Sequence, residues 1–187
     1  VGEDQKQHLE LTRDIAQKFN LDFNVPDFFK VPDPLIQKNF ARIMSLKDGT
    51  NKMSKSDPSD LSRINLTDSK DEIVNKIRKA KTDTQPLPNN EKDLANRPEA
   101  ENLLGIYSSL SNQSLQNSIN EFSGKNFSEF KKNLTELVVE KITPISNEIN
   151  KLQKDNNFID NILKTGGEKA EAIASKKVHE MKKIIGF

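Results

Sequence analysis

The chain has 187 residues, with 29 Lys and Arg against 28 Asp and Glu and a net charge of +1, so bulk charge argues for neither a nucleic-acid nor a membrane partner. Cysteine is absent, which excludes a disulfide framework and any thiolate metal site. No apolar run approaches the roughly 18–20 residues of a membrane span, and no secretory signal opens the chain. Hydrophobic content is 33% and mean hydropathy is −0.74, low enough to raise disorder as a reading. Helical periodicity argues against disorder and for slender helices with large wet faces.

The first residues, Val1-Gly2-Glu3-Asp4-Gln5, read as the end of a strand turning into a helix. A start in mid-motif, on Val rather than Met, suggests sequence upstream. Glu3 to Phe19 has helical spacing, with Leu11, Ile15 and Phe19 on one face and Asp4 in the first turn, where a carboxylate suits the helix dipole. Residues 20–39 carry Pro26, Pro32 and Pro34 with Phe23, Phe28 and Phe29, an irregular connection pinned by aromatics. Phe40 to Leu46 is a strand candidate, Asp48-Gly49 marks a turn, and a polar loop follows through Pro58.

Beyond Thr67 the pattern is helical. Ser69 and Glu72 form a capping box ahead of the apolar stripe Ile73, Ile77 and Ala80. Residues 82–98 read as loop. Pro98 suits the first turn of a helix bearing Leu103, Leu104, Tyr107 and Leu110. Leu115, Ile119 and Phe122 predict a short helix stopped at Gly124. The longest helix runs from Phe127 to Leu152, capped by Asn126 with Glu129, and Pro144 is expected to kink it. A short segment through Leu163 follows. Thr165-Gly166-Gly167-Glu168 reads as a second capping box, starting a last helix with Ala170, Ala174, Val178, Met181 and Ile185.

Lys52-Met53-Ser54-Lys55-Ser56 is the segment best suited to chemistry. Two lysines three apart among small hydroxyl residues, in a loop, suit a leaving group that gains negative charge, such as pyrophosphate. An ordinary solvated Lys/Ser loop has the same composition. His8 and His179 have no metal-ligand spacing, and Lys176, Lys177, Lys182 and Lys183 fit the solvated face of an amphipathic helix.

The lysine string is identical to the signature loop of class I aminoacyl-tRNA synthetases. Its flanks, Ala41 to Leu46, Asp48, Thr50 and Ser56-Asp57-Pro58, resemble the tryptophan-specific branch, as does the segment from Gly2 to Asp14. Leu103 to Tyr107 is similar to that branch's helical domain. The resemblance implies a mostly α chain: the C-terminal remnant of a Rossmann-like α/β nucleotide-binding domain over residues 1–66, then an α-helical anticodon-binding domain over 67–187. It implies that Gly2, Glu3 and Asp4 line the ATP ribose, that Gln5 faces tryptophan and that Ile43 lies against adenine. Lys52 and Lys55 would be catalytic, binding the triphosphate and stabilising pyrophosphate as it leaves, with Met53, Ser54 and Ser56 completing the loop. The partners implied are ATP with Mg²⁺, L-tryptophan and tRNA(Trp), in a cytoplasmic homodimer without a membrane; some lysines of the last helix could touch RNA phosphates.

Departures stand against the family's pattern, among them the lack of the first sheet strands, of the Asp that selects the indole ring and of much of the dimer surface. The His-Ile-Gly-His-like half of the site is not in this sequence, so the chain alone is expected to be inactive. Position 49 is Gly where the family often has Pro, a change expected to affect loop stiffness more than chemistry. The competing reading is a stand-alone helical RNA-binding fragment without catalysis. Retention of the lysine loop and of Gly2 to Gln5 favours the ligase. Leu11, Ile15 and Phe19 are expected to lack packing partners, giving a weakly stable N-terminal region.

Overall fold

A computed structural model describes residues 2, 5–36 and 42–187. Contacts divide the chain into two units, residues 1–37 with 151–187, and residues 38–150. The helical start expected at Glu3 and the acidic first-turn role of Asp4 lie outside the described residues, as do Phe40 and Ala41 of the expected strand.

In the first unit, helix α1 spans Lys6–Asp22. Its expected apolar stripe is largely in solvent, with Leu11 59% and Ile15 60% exposed, while Ala16 is buried. The connection after α1 is pinned by aromatics as its composition suggests. Phe19 packs on Phe23, Phe28 and Phe29 with ring centroids 4.8, 5.4 and 4.9 Å away. Asn20 brackets the backbone of Phe29, accepting its N–H at 2.9 Å and donating to its carbonyl at 2.8 Å. Asn24 and Asp27 take the left-handed backbone that the sharp turns require, a region open to Asn and Asp more readily than to bulky residues.

Helix α6, Asn156–Ile185, belongs to the same unit and corrects the sequence reading. It is one helix of 30 residues, capped by the Asp155 side chain accepting from Phe158 N–H, and it runs through Gly166-Gly167 without a break. The expected cap at Thr165 and Glu168 therefore has no helix start to serve: in mid-helix the amides already donate within the helix. The lysine face at its end is not purely solvated, since Lys177 sits 3.8 Å over the Phe28 ring.

The second unit holds the hydrophobic core. Strands β1 (Met44–Ser45) and β2 (Asp48–Lys52) form an antiparallel hairpin with Met44 opposite Lys52 and Ser45 opposite Asp48, and the register slips between the two pairs. Among the described residues the expected strand shrinks to two, and the turn falls at Leu46-Lys47 instead of Asp48-Gly49. Leu46 explains both changes. Its side chain is buried, its N–H donates to the Ser62 carbonyl at 2.8 Å, and its carbonyl accepts from Lys81 N–H at 2.7 Å, so its backbone is committed outside the hairpin.

Helix α2 (Lys70–Lys79) begins with the anticipated Ser69–Glu72 capping box and buries Ile73 and Ile77. The 82–98 stretch is more ordered than its composition suggests. Leu87 and Leu94 are buried, Asn90 caps a 3-10 turn at Glu91–Leu94, and the Arg97 guanidinium grips both oxygens of Asp83 at 2.9 and 2.7 Å. Helix α3 (Pro98–Leu110) starts on its proline, and α4 (Leu115–Phe122) ends just before Gly124, which takes φ +71°. Helix α5 (Phe127–Leu152) is continuous through Pro144, and Asn126 accepts from Glu129 N–H at its start. Tyr107, Phe122 and Phe130 meet edge-on or tilted among buried Ile73, Leu103, Leu104 and Leu134, and this cluster fixes the platform on which the hairpin lies.

Candidate functional site

The lysine loop leaves the end of β2 and returns to a 3-10 turn at Asp60–Ser62. Its two ends are each tied to the β1 segment, one to Ile43 and the other to Leu46. Met53 N–H donates to the Ile43 carbonyl at 3.0 Å, and Leu46 N–H donates to the carbonyl of Ser62, a fully buried residue. Between those ties Lys52, Lys55 and Ser56 are exposed, Ser54 is half-buried, and Met53 turns its side chain inward against the core. Inside the loop the Ser54 and Ser56 hydroxyls share a hydrogen bond of 2.9 Å, Asp57 N–H donates to the Ser54 carbonyl, and the Asp57 carboxylate accepts from Ser59 N–H at 2.7 Å. The structure thus brings Ile43 and residues 52–56 together on one edge of the hairpin, with Lys52 and Lys55 both exposed.

The hairpin is held in that place by polar side chains. Asn102, 2% exposed on α3, donates to the Met44 carbonyl at 2.8 Å and accepts Met44 N–H at 2.9 Å, doing what a neighbouring strand would do. Asp48 accepts from the hydroxyl and N–H of Thr50 and from the Asn51 amide, and these bonds, the Thr50 hydroxyl foremost, hold its carboxyl below the usual range. Lys81 and Glu99 pair at 2.7 Å. That contact raises the Lys81 amine and lowers the Glu99 carboxyl. Gly49 lies in β2 with the start of α3 against its Cα, so its role is close packing more than loop stiffness.

Behind the loop lies a denser network. Lys76, 2% exposed, donates from Nζ to Asp60 and Asp68 at 2.6 Å each. Burial alone would lower its amine pKa, and the two carboxylates reverse the sign, leaving it raised. The same Lys76 bond lowers the Asp60 carboxyl. Arg63 donates to the Asp57 carbonyl at 2.9 Å and pairs with Asp60 at 3.1 Å, while the Asn65 amide reaches both Asp60 and Asp68. Sequence reasoning missed this cluster and Asn102. Its signal was available, because Lys76 occupies the inward position between Ile73 and Ala80, where an apolar residue is the rule.

Of the other expected site residues, Glu3 and Asp4 lie outside the described residues. Gly2 and Gln5 belong to the first unit, where Gln5 N–H donates to the Gly2 carbonyl at 3.0 Å in the turn that opens α1. Among the described residues, no group of three His, Cys, Asp or Glu is placed to hold a metal ion, and no helix is long and apolar enough to cross a membrane.

Known proteins resemble this chain along its whole length. A tryptophan–tRNA ligase of Caulobacter vibrioides is 54% identical over all 187 residues, and one of Rickettsia typhi is 49% identical. The chain spans only 54% and 56% of those proteins, about half of each. Among solved structures, tryptophanyl-tRNA synthetase from Mycoplasma pneumoniae superposes with a TM-score of 0.82 at 32% identity, covering all of this chain and 55% of that one. The Campylobacter jejuni enzyme complexed with ADP and tryptophane gives 0.67 at 27% identity, covering 56% of that chain. A mostly α chain carrying the remnant of a Rossmann-like α/β domain is the architecture these neighbours share with it. The family model for tRNA synthetases class I (W and Y) matches residues 1–144, and on that match the chain belongs to the tryptophan and tyrosine branch of the class I tRNA synthetases.

Proposed function

We propose that this chain carries the lysine-loop half of a tryptophan–tRNA ligase site. In this reading the carboxylate of L-tryptophan attacks the α-phosphorus of ATP, the bond to the bridging oxygen of the β-phosphate breaks, and pyrophosphate leaves. A hydroxyl at the end of tRNA(Trp) then takes the aminoacyl group, releasing AMP. Residues 1–66 contribute to the nucleotide-binding domain and residues 67–187 to the anticodon-binding domain of a cytoplasmic homodimer.

The observation that carries the reading is the exposure of Lys52 and Lys55 on a loop whose two ends are hydrogen-bonded to the β1 segment, one at Ile43 and the other at the buried Leu46. Fixed cations near a phosphate chain stabilise the charge that grows on pyrophosphate without the cost of reorganising water. The serines keep the loop narrow, and Ile43, 43% exposed beside Met53, offers an apolar surface to adenine. Gly2, Glu3 and Asp4 are assigned to the ribose and Gln5 to the tryptophan side. Mg²⁺ would accompany the nucleotide and offset its phosphate charge. The complex of the Campylobacter relative with ADP and tryptophane supports the substrate pair.

A chimera joining this chain behind the N-terminal portion of the Caulobacter relative tests the reading. Tryptophan-dependent exchange of pyrophosphate into ATP is expected, and Lys52→Ala or Lys55→Ala should each lower it by about a hundredfold or more. A folded chimera without exchange would move the helical RNA-binding reading ahead of the ligase, exchange that ignores both substitutions would overturn the roles of the two lysines, and exchange driven by tyrosine would overturn the tryptophan assignment.

A further inference from the structure

Lys76 spends a buried ammonium on two carboxylates that have no place in the chemistry described above. A buried ion pair is rarely the most stable way to fill a core, so its position invites a question about what it positions. Asp68 is buried with it, whereas Asp60 is 56% exposed and stands at the start of the 3-10 turn that ends the lysine loop. Apart from the buried Lys76–Asp68 pair, the cluster's bonds run to that returning stem. Lys76 holds Asp60, Arg63 holds the Asp57 and Ser59 carbonyls, and Asn65 joins Asp60 to Asp68. The opposite stem is held through β1, by the Met53–Ile43 bond and by Asn102 on the Met44 backbone.

We propose that Lys76, acting through Asp60 and Arg63, is the positioning residue of the lysine loop: it fixes the returning stem from the core and so sets where Lys52 and Lys55 meet a phosphate chain. This rests on the reading of the loop as a triphosphate site. Lys76 touches no substrate; its effect is on geometry. Its side chain reaches the stem from α2, an element built on Ile73 and Ile77, so the stem's position is referred to the core and not to the loop's own short-range bonds.

Asp60→Asn is the decisive variant, because position and plain electrostatics predict opposite signs. Removing a negative charge near the loop would by itself tighten anion binding. Loosening the stem should weaken it. The 187-residue chain is titrated with inorganic pyrophosphate, followed by the amide resonances of residues 52–56, while hydrogen exchange is recorded over residues 53–62. With Asp60→Asn we expect pyrophosphate affinity to fall by roughly twofold to thirtyfold, the span expected of residues that tune a site without touching its ligand. We expect faster exchange in residues 53–62 and unchanged exchange in α3. Lys76→Met should do the same where it remains folded. Tighter binding in Asp60→Asn, or unaltered loop exchange, would overturn the proposal. Lys52→Ala and Lys55→Ala run in parallel. If they abolish pyrophosphate binding while Asp60→Asn changes neither affinity nor exchange, positioning alone is wrong. If they leave binding unaltered, the triphosphate reading fails and takes the positioning role with it.

Discussion

A Cβ on Gly49 would fall 2.5 Å from the carbonyl carbon of Pro98 and 2.6 Å from the amide nitrogen of Glu99, closer than such atoms approach in proteins. Both neighbours are backbone at the first turn of α3, so neither can swing aside as a side chain would. The Glu99 carboxylate beside it is paired with Lys81 at 2.7 Å, which ties that first turn in place. Gly49→Ala should therefore push β2 off α3 at an overpacking cost of about 1–3 kcal/mol, read as a lower denaturant midpoint with an unchanged slope. A stability equal to that of the unsubstituted chain would mean that the hairpin can slide freely on the helix. At this scale the sequence was legible where a residue acts on its near neighbours. Ser69 with Glu72 and Asn126 with Glu129 can be read from spacing, since each bond closes within three residues, and Pro98 marks a helix start through its own fixed backbone. Gly49 against Pro98 and Asn102 on Met44 could not, because their partners are about fifty residues away and only the fold brings them together.

At the scale of elements the clearest disagreement between spacing and structure is α6. Thr165, two glycines and Glu168 look like a helix start, yet the helix began ten residues earlier at the Asp155 cap. Capping signals are local and say where a helix can begin, not where an existing helix must stop. The glycines are a weak point in the element. Added Cβ atoms at Gly166 and Gly167 meet nothing within 4 Å. Gly in an exposed helix interior costs about 0.8–1 kcal/mol relative to Ala, so Gly166→Ala and Gly167→Ala should each stabilise α6 by about that amount. Slower amide exchange through residues 160–172 and higher ellipticity at 222 nm would register it. No gain from either substitution would show that the glycines mark a real break. The hairpin errs in the other direction. Its apolar run promised a longer strand, and the burial of Leu46 together with its bonds to Ser62 and Lys81 ended β1 after two residues. Periodicity reports which residues seek the interior; it cannot tell a strand that continues from one whose last apolar residue turns into the core.

Across the whole molecule the apolar burial is uneven. Every member of the core cluster, from Leu46 to Val138, belongs to residues 38–150. In the other unit Ala16 is the only buried side chain among the described residues, while Leu21, Leu163 and Ile173 are well exposed. Helical order in that unit depends on backbone bonds and the Phe19 cluster, and helices without a packed face are marginal in water. The two units should therefore open at different free energies, as locally weak segments do in native proteins. Native-state hydrogen exchange is expected to show the strongest protection in α3 and the first half of α5, where Leu103, Leu104, Phe130 and Leu134 are buried, and weaker protection in α1 and α6. Excision of residues 38–150 should leave a piece that still melts cooperatively, since it keeps the core, the capped helices and the tied lysine loop. Equal protection in α1 and α5 would contradict this division, because it would require the exposed stripe of Leu11 and Ile15 to contribute as much as a buried one. The same asymmetry bears on the site. The platform that presents Lys52 and Lys55 lies wholly inside the well-packed unit, so the geometry of the loop should survive opening of α1 and α6, and loop exchange should track α2 and α3 as denaturant rises.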